Sequence, residues 1–365
     1  MPILDKRFST QLYMVKWEVD EEFHNLRLDQ FLMNYLDTWS RELIKKKIKK
    51  GGIEIKGRPG IHRPNTKVHW KDVITMKTWR EELINAEDEF WNGEKLPLQD
   101  TEILYEDSGL LVIAKPPFMS THPTGKHIFH CATVYYEEVC GHPVHSIHRL
   151  DRETSGVLLL GKTPASSNKL TENFEKDRVQ KCYFFMAKVR GFNGETEFRA
   201  SERIGPKESG LKRVINYTFP QNSREGKSAQ TDFQILHEEN GYVLGLAFPK
   251  TGRQHQIRVH AAHYGLPLLG DKLYLGDYPT FQRFKDRYAT DKDFEAMELP
   301  RHALHSTALY FPYENVNKVF FAPIPKDFRE WIDCHFSATA KGINTRVKNA
   351  ICQRFGLSSI ASLNN

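Results

Sequence analysis

Between residues 41 and 80 the chain carries thirteen Lys/Arg against three acids (Glu42, Glu54, Asp72). Over residues 81–100 the sign reverses, to seven acids against Lys95 alone, and Asn92-Gly93 and Pro97 interrupt any regular element there. Such a reversal beside structure-breaking residues reads as a boundary between bodies rather than the interior of one core. A chain of 365 residues has length for two or three domains. The expected layout is a lead-in over 1–24, a small basic domain over 25–80, an acidic linker over 81–100, a main domain over 101–330 and a tail over 331–365. The formal net charge is +6, so everything outside residues 41–80 sums to −4. One region therefore holds the positive excess. That is the electrostatic footprint of a polyanion partner, or, on charge alone, simply a solvated basic face.

Composition narrows the class. Hydrophobic residues are 39% and charged residues 27%, which is globular rather than disordered. No apolar stretch reaches the roughly 18 residues of a membrane span, and Met1–Arg7 lacks the apolar core of an export signal. The five cysteines are scattered without a Cys-x-x-Cys pair, so no disulfide framework or cysteine zinc site is expected, and a reducing cytoplasm fits.

Periodicity supplies the elements. Leu28, Phe31, Leu32, Tyr35 and Leu36 share one helical face. Ser40 caps a second helix, which turns Leu43, Ile44 and Ile48 inward, leaves Lys45, Lys46, Lys49 and Lys50 outward, and ends at Gly51-Gly52. Ile53–Lys56 alternates as a short strand, and Val68–Met76 reads as a strand around a turn at Lys71-Asp72. In the main domain, Leu110–Ala114 and Val157–Leu160 read as buried strands, and Tyr183–Val189 and Val243–Phe248 as further strands. Helices are expected around Glu172–Arg178 and over Arg253–Tyr264, the latter capped by Thr251. Residues 207–228 are polar and read as a surface insertion. In the tail, Ile343, Val347 and Ile351 have the spacing of one more helix. Strands and helices mix without a repeating βαβ rhythm, which indicates the α+β class.

Several residues invite chemistry. His142, His145 and His148, and later His255, His260 and His263, resemble metal-ligand runs. The first set is split by Pro143, no His-Glu-x-x-His occurs, and structural histidines are favoured over zinc. There is no Gly-x-Ser-x-Gly elbow and no phosphate-binding Gly-x-x-x-x-Gly-Lys loop. The segment His148-Arg149-Leu150-Asp151-Arg152-Glu153-Thr154-Ser155-Gly156 is different. A carboxylate flanked by arginines precedes a turn into a buried strand. Neighbouring cations favour its ionised form, as a nucleophile or a base requires. An aspartate that pairs with an arginine and caps the turn would look the same.

That segment, continued by Leu158-Leu159, resembles the signature of the RluA-type RNA pseudouridine synthases. Others follow in the family's order. Ile103–Pro123, with its Lys115-Pro116, is similar to the opening motif. Lys181-x-Tyr183-x-x-x-x-Lys188-Val189-x-Gly191 is similar to the central one. Lys250-Thr251-Gly252-Arg253-Gln254-His255-Gln256-Ile257-Arg258-Val259-His260, with Gly265-x-Pro267 and Gly270-Asp271, is similar to the third. Leu304-His305 near Tyr310-Phe311 resembles the closing strand. These motifs cover roughly residues 101–325. One departure stands at Phe118, near which the family has a glycine. Over residues 25–80, Arg27-Leu28-Asp29-x-Phe31-Leu32, Ser40-Arg41-x-x-Ile44 and Lys50-Gly51-x-Ile53 resemble, more loosely, the small RNA-binding domain named after ribosomal protein S-four.

The resemblance implies a catalytic domain on a mixed, mainly antiparallel sheet, preceded by a small α/β RNA-binding domain. It implies isomerisation of uridine in structured RNA, ribosomal or transfer, with no cofactor and no metal. The base is detached, rotated and rejoined through a base carbon. Asp151 matches the essential aspartate, which attacks sugar or base or removes a sugar proton. Tyr183 matches the tyrosine stacked on the target base, and Arg258 the cation paired with the aspartate. Arg149 matches the arginine that fills the space a flipped nucleotide leaves in the stack. Leu150 beside it, and Lys45, Lys46, Lys49 and Lys50, are expected to bind substrate. RNA is then the partner, with no membrane, no obligate protein partner and a monomeric state. A protein that kept this fold and only bound RNA is the alternative. A metal-dependent nuclease or deaminase is a third.

Overall fold

The computed structural model describes residues 3–36, 39–82, 89–97, 99–124, 127–207 and 214–358. Parts of the expected linker (83–88 and 98), insertion (208–213) and tail (359–365) lie outside the described residues. The chain forms two compact units, Met1–Asp88 with Ser120–Val144, and Glu89–Met119 with His145–Asn365.

The first unit is built on the antiparallel strands β1 (Ile3–Phe8), β2 (Leu12–Glu18), β3 (Ile53–Ile55) and β4 (Val73–Trp79), in the order β1-β2-β4-β3. Alternation in β2 sends Tyr13, Val15 and Trp17 inward, against Leu28, Phe31 and Leu32 of helix Leu28–Met33 and Ile44 and Ile48 of helix Arg41–Lys49. Ile128 and Phe129 complete this core. The Ser40 hydroxyl accepts the Leu43 N–H (3.2 Å), which is the expected cap. The strand expected from Val68 begins at Val73. Lys71 takes a left-handed backbone (φ 68°) and donates to Val19 O (2.9 Å), so the turn precedes the ladder instead of interrupting it.

The second unit carries the remaining strands. They are β5 (Phe90–Trp91), β6 (Glu94–Lys95), β7 (Glu102–Glu106), β8 (Leu110–Lys115), β9 (His145–Ser146), β10 (Ser155–Gly161), β11 (Gln180–Lys188), β12 (Glu197–Ala200), β13 (Arg203–Gly205), β14 (Tyr217–Phe219), β15 (Thr231–Glu239), β16 (Tyr242–Pro249), β17 (Leu304–Tyr313) and β18 (Val316–Phe321). Among the described residues a ten-stranded sheet runs β12-β15-β16-β11-β17-β10-β8-β7, with β18 on β17 and β9 on β10. Within it β10 and β17 pair in parallel and the other pairs are antiparallel, so the fold is α+β on a mainly antiparallel sheet.

Strand β11 shows why the site forms where it does. Its odd and even residues face opposite sides. Cys182, Phe184 and Met186 join a core with Leu244, Leu246 and the helices Lys326–His335 and Ala340–Phe355. Tyr183, Phe185 and Ala187 face the other side, against Ile257 and Ala261 of helix Gln256–His263. The tail residues Ile343, Val347 and Ile351 are fully buried on the first of these sides. Around the stretch expected as a linker, Trp91 stacks on Phe284 (5.9 Å) and meets Phe294 edge-on (4.9 Å). The insertion is less peripheral than its polarity suggests: Asn216 and Phe219 are buried, and β13 and β14 form a hairpin at its edge.

Candidate active site

Asp151 lies in the turn between β9 and β10, closed by the Thr154 N–H donating to Asp151 O (3.0 Å). The chain then enters β10 through Gly156, whose backbone (φ 108°) is one that glycine favours. A Cβ there would stand 2.1 Å from Ser306 O. That approach is tight because β17 lies between β10 and β11. Gly156 is paired with Ser306 on one side, and Tyr183 with Ser306 on the other. Strand β17 thereby sets the Asp151 turn beside Tyr183, 32 positions later in the chain.

Arg258 comes from helix Gln256–His263, which packs on the Tyr183 side of the sheet. Its Nη1 donates to Asp151 Oδ2 (3.2 Å), while Nε and Nη2 fork onto Asp271 (2.7 and 2.8 Å). Asp271 is fully buried and also accepts the N–H groups of Leu273 (3.0 Å) and Tyr274 (3.2 Å). Gly270, with φ 69° and no room for a Cβ beside Arg301 O, delivers it there. Arg258 is thus oriented mainly by Asp271, a bidentate geometry that lysine would not reproduce. Burial opposes the charge on Arg258, but Asp271 first and then Asp151 outweigh it and push its pKa up. For Asp151, burial also opposes ionisation. His255, charged only at the acid pH where Asp151 titrates, the Arg258 guanidinium and His302 outweigh burial and draw the carboxyl down to about 2. It is therefore ionised at neutral pH. Among the described residues only Oδ2 is engaged by a hydrogen bond.

These groups open on a cavity of about 330 Å³. Leu150, Ile257 and Leu304 give it apolar walls around the Tyr183 ring, while Arg149, Lys181 and Arg253 bring positive charge. Burial raises the Tyr183 hydroxyl to about 12, so it stays neutral. Arg149 is exposed at this site, and Leu150 is buried. The geometry therefore brings together Asp151, Tyr183, Arg258, Arg149 and Leu150. Lys45, Lys46, Lys49 and Lys50 belong to the first unit. There Lys46, Lys49 and Lys50 are exposed and Lys45 meets Glu42 (3.0 Å). Lys47, in the same run, is buried and bound to Glu82 (2.6 Å).

The helix expected over Arg253–Tyr264 begins at Gln256, and Thr251 does not cap it. His255 occupies the capping position in a left-handed conformation (φ 58°, ψ 16°), which costs a non-glycine residue about 1–3 kcal/mol. The Gln256 side chain holds this turn. Its Oε1 accepts from Arg253 N (3.0 Å) and Thr251 Oγ1 (2.7 Å), and its Nε2 donates to Gln230 O (2.9 Å). The Thr251 hydroxyl is engaged in that link instead of meeting a helix N–H.

Asp271 and a second charged network are not legible in the sequence. Glu153 accepts from Lys272 Nζ (3.2 Å) and from the His302 backbone N–H (2.9 Å), and His302 Nε2 meets Thr154 Oγ1 (2.8 Å). These bonds pin the residues just after Asp151. The signals available were Glu153 near Asp151 and the Gly270-Asp271-Lys272 run, but the partners of Glu153 are over a hundred residues away and Asp271 meets Arg258 across thirteen positions that no helical or strand spacing links. The histidine runs disperse. His148 accepts the Leu159 N–H (3.1 Å), His260 meets Thr231 Oγ1 (3.0 Å) and His263 meets Thr218 Oγ1 (3.1 Å). Among the described residues no three His, Cys, Asp or Glu side chains converge as a metal site. Phe118, near which the family has a glycine, itself takes the left-handed backbone (φ 64°) that glycine adopts easily. Its ring is buried, with the Arg152 guanidinium 5.6 Å from the centroid.

The profile of the RNA pseudouridylate synthase family matches residues 109–263, the span that holds Asp151, Tyr183 and Arg258. A ribosomal large subunit pseudouridine synthase D of Yersinia pestis is 30% identical over 84% of this chain and 90% of its own length. The chain belongs to the RNA pseudouridylate synthase family. A ribosomal large subunit pseudouridine synthase C of Buchnera aphidicola is 29% identical over 86% of this chain and 95% of its own. The solved structure of human RNA pseudouridylate synthase domain containing 1 shares the fold. It has a TM-score of 0.51 and 20% identity, over 70% of this chain and 97% of that one. As an RNA pseudouridine synthase of the RluA type the chain is an isomerase, and no helix among its described residues is long and apolar enough to cross a membrane.

Proposed function

We propose that this synthase isomerises uridines in large-subunit ribosomal RNA, with Asp151 as its essential carboxylate. The observation that carries the reading is the Asp151 carboxylate itself, held at one oxygen by Arg258 (3.2 Å) on the wall of a cavity containing Tyr183. The relatives named for ribosomal large-subunit modification support the choice of RNA.

A uridine stacked in RNA hides its glycosidic bond, so it must be flipped into the cavity at a cost of a few kcal/mol. Arg149, exposed beside Asp151, is placed to occupy the vacated stack or to meet a phosphate. Leu150 and Tyr183 contact the flipped base, Tyr183 by stacking. Asp151 then acts on the sugar or the ring while Arg258 keeps it ionised. The glycosidic carbon–nitrogen bond breaks and a carbon–carbon bond forms; the base carbon that joins the sugar gives its proton to solvent, and the freed ring nitrogen takes one up from solvent. Lys46, Lys49 and Lys50 on the first unit, which resembles the S-four RNA-binding domain, supply phosphate contacts that position rather than select.

The test is transcriptome-wide pseudouridine mapping in cells with and without this protein. Loss of one or a few sites in large-subunit ribosomal RNA is the expected result. Loss confined to transfer RNA would overturn the target assignment while leaving the chemistry.

A further inference from the structure

We infer that His255 is a positioning residue for Asp151. In this assignment Tyr274 holds the His255 ring in its Nε2–H form, and that N–H and Arg258 together occupy Asp151 Oδ2 and leave Oδ1 as the reacting oxygen. The inference rests on the reading of Asp151 as the essential carboxylate and adds to it.

The argument begins at the Tyr274 hydroxyl. The Asn216 backbone N–H can only donate, and it lies 3.1 Å from that oxygen. His255 Nδ1 lies 3.0 Å away on another side. The hydroxyl has one proton, and Nδ1 is its acceptor among the described residues. A neutral imidazole whose Nδ1 accepts must carry its hydrogen on Nε2. Nε2 stands 3.9 Å from Asp151 Oδ2, the same oxygen that Arg258 Nη1 reaches at 3.2 Å. The opposite tautomer would aim a lone pair at the carboxylate and leave the proton of the half-buried tyrosine without an acceptor among the described residues.

Two further observations agree. Burial and the neighbouring Arg258 lower His255 to about 4, against the opposing pull of Asp151 and Asp271, so the ring is neutral at working pH. The residue is also held in a left-handed conformation, an outlier of the kind concentrated at functional sites. A proton donor without net charge can orient a carboxylate without quenching it as a second cation would. At 3.9 Å the separation is longer than a hydrogen bond, and in this assignment it shortens to one when substrate is bound. Asn216, from the polar insertion, donates its side-chain amide to Gln254 O (3.3 Å), tying the insertion to this device.

The experiment uses the whole chain with isotope-labelled histidine. Nitrogen NMR reads which imidazole nitrogen of His255 carries the proton, assigned against His255→Gln. Tyr274→Phe removes the hydroxyl but keeps the ring that lies 5.1 Å from the Arg258 guanidinium. The expected results are Nε2 protonated in the parent protein, mixed tautomers in Tyr274→Phe, and a kcat about tenfold lower with KM within about twofold. His255→Gln, which retains an N–H donor, should keep more kcat than His255→Leu. Protonated Nδ1 in the parent protein, or an unchanged kcat in Tyr274→Phe, would overturn the assignment. Should Tyr274→Phe fail to fold, the parent spectrum and the Gln–Leu comparison decide. Turnover by Asp151→Asn would instead sink the underlying reading, and the tautomer measurement would be unaffected.

Discussion

At the scale of single residues, the site is a chain of charges with unequal burial. Asp151→Asn is nearly isosteric but cannot ionise. It is expected to abolish tritium release from RNA labelled on the base carbon that becomes the new attachment point, with RNA binding retained. Arg258→Ala strands Asp271, which is fully buried, as well as Asp151. Breaking such a pair costs about 3–5 kcal/mol. The expected outcome is a lower unfolding temperature together with abolished turnover. Arg258→Lys should recover part of both, because the charge remains while the fork onto Asp271 is removed. The resemblance to the family implied Arg258 as the partner of Asp151. The packing shows it forked onto Asp271 first, with one nitrogen left over for Asp151.

At the scale of elements, the strand that matters most contributes few side chains to chemistry. Strand β17 brings the Asp151 turn and Tyr183 together by pairing with both β10 and β11 at Ser306. Gly156→Ala would force a Cβ into the Ser306 carbonyl from an unfavourable backbone conformation. Destabilisation of at least about 3 kcal/mol and loss of turnover are expected, checked by thermal unfolding and the tritium assay. The C-terminal helix Ala340–Phe355 packs under the same sheet, with Ile351 fully buried. Ile351→Ala should cost about 2–5 kcal/mol by leaving a cavity, while the rate per folded molecule stays near that of the parent. The period-3.6 pattern of Ile343, Val347 and Ile351 made this helix legible. Its partners, Phe184 and Leu246 among them, were not, because a strand's choice of neighbour leaves no mark on its own alternation.

At the scale of the whole molecule, charge and protonation give two measurable consequences. Lys46, Lys49 and Lys50 are exposed on one helix, so replacing all three with alanine should weaken RNA binding and flatten its salt dependence. Each phosphate that is no longer neutralised reduces the slope by about 0.7–0.9, and an unchanged slope would mean a merely solvated face. Stability should fall with acid. Burial lowers His148 to about 3 and His305 and His255 to about 4. Below pH 6.5 the unfolded chain binds protons that the folded chain refuses, so each such histidine removes about 1.4 kcal/mol per pH unit until its folded pKa is reached. Asp151 acts at lower pH. Its folded value of about 2 lies below the ordinary 3.8, so its contribution is present above 3.8 and lost as pH falls towards 2. Thermal unfolding should therefore shift downwards between pH 7 and 5. The rate per folded molecule should show no acid limb from Asp151 in that window.

Local chemistry was determined by the sequence alone. Alternation and capping residues placed several of the buried strands and helices, because side-chain direction repeats every 2 or 3.6 residues whatever lies opposite. The run from His148 to Gly156 singled out Asp151 as a carboxylate between arginines, a pattern that a turn-capping aspartate shares, and its resemblance to a family signature gave it a catalytic role. Tertiary structure decided what stands across from each group. Asp271 as the clamp on Arg258, Glu153 joined to Lys272 and His302, and the Tyr274 hydroxyl on His255 all link residues on different elements, those of Glu153 more than a hundred positions apart. The late start of helix Gln256–His263 has the same origin, since the hydrogen bonds of Gln256 to Gln230 and Thr251 outweigh the helical tendency of Arg253–His255. A buried polar group must find a partner wherever the fold offers one, and that partner need not be near in sequence.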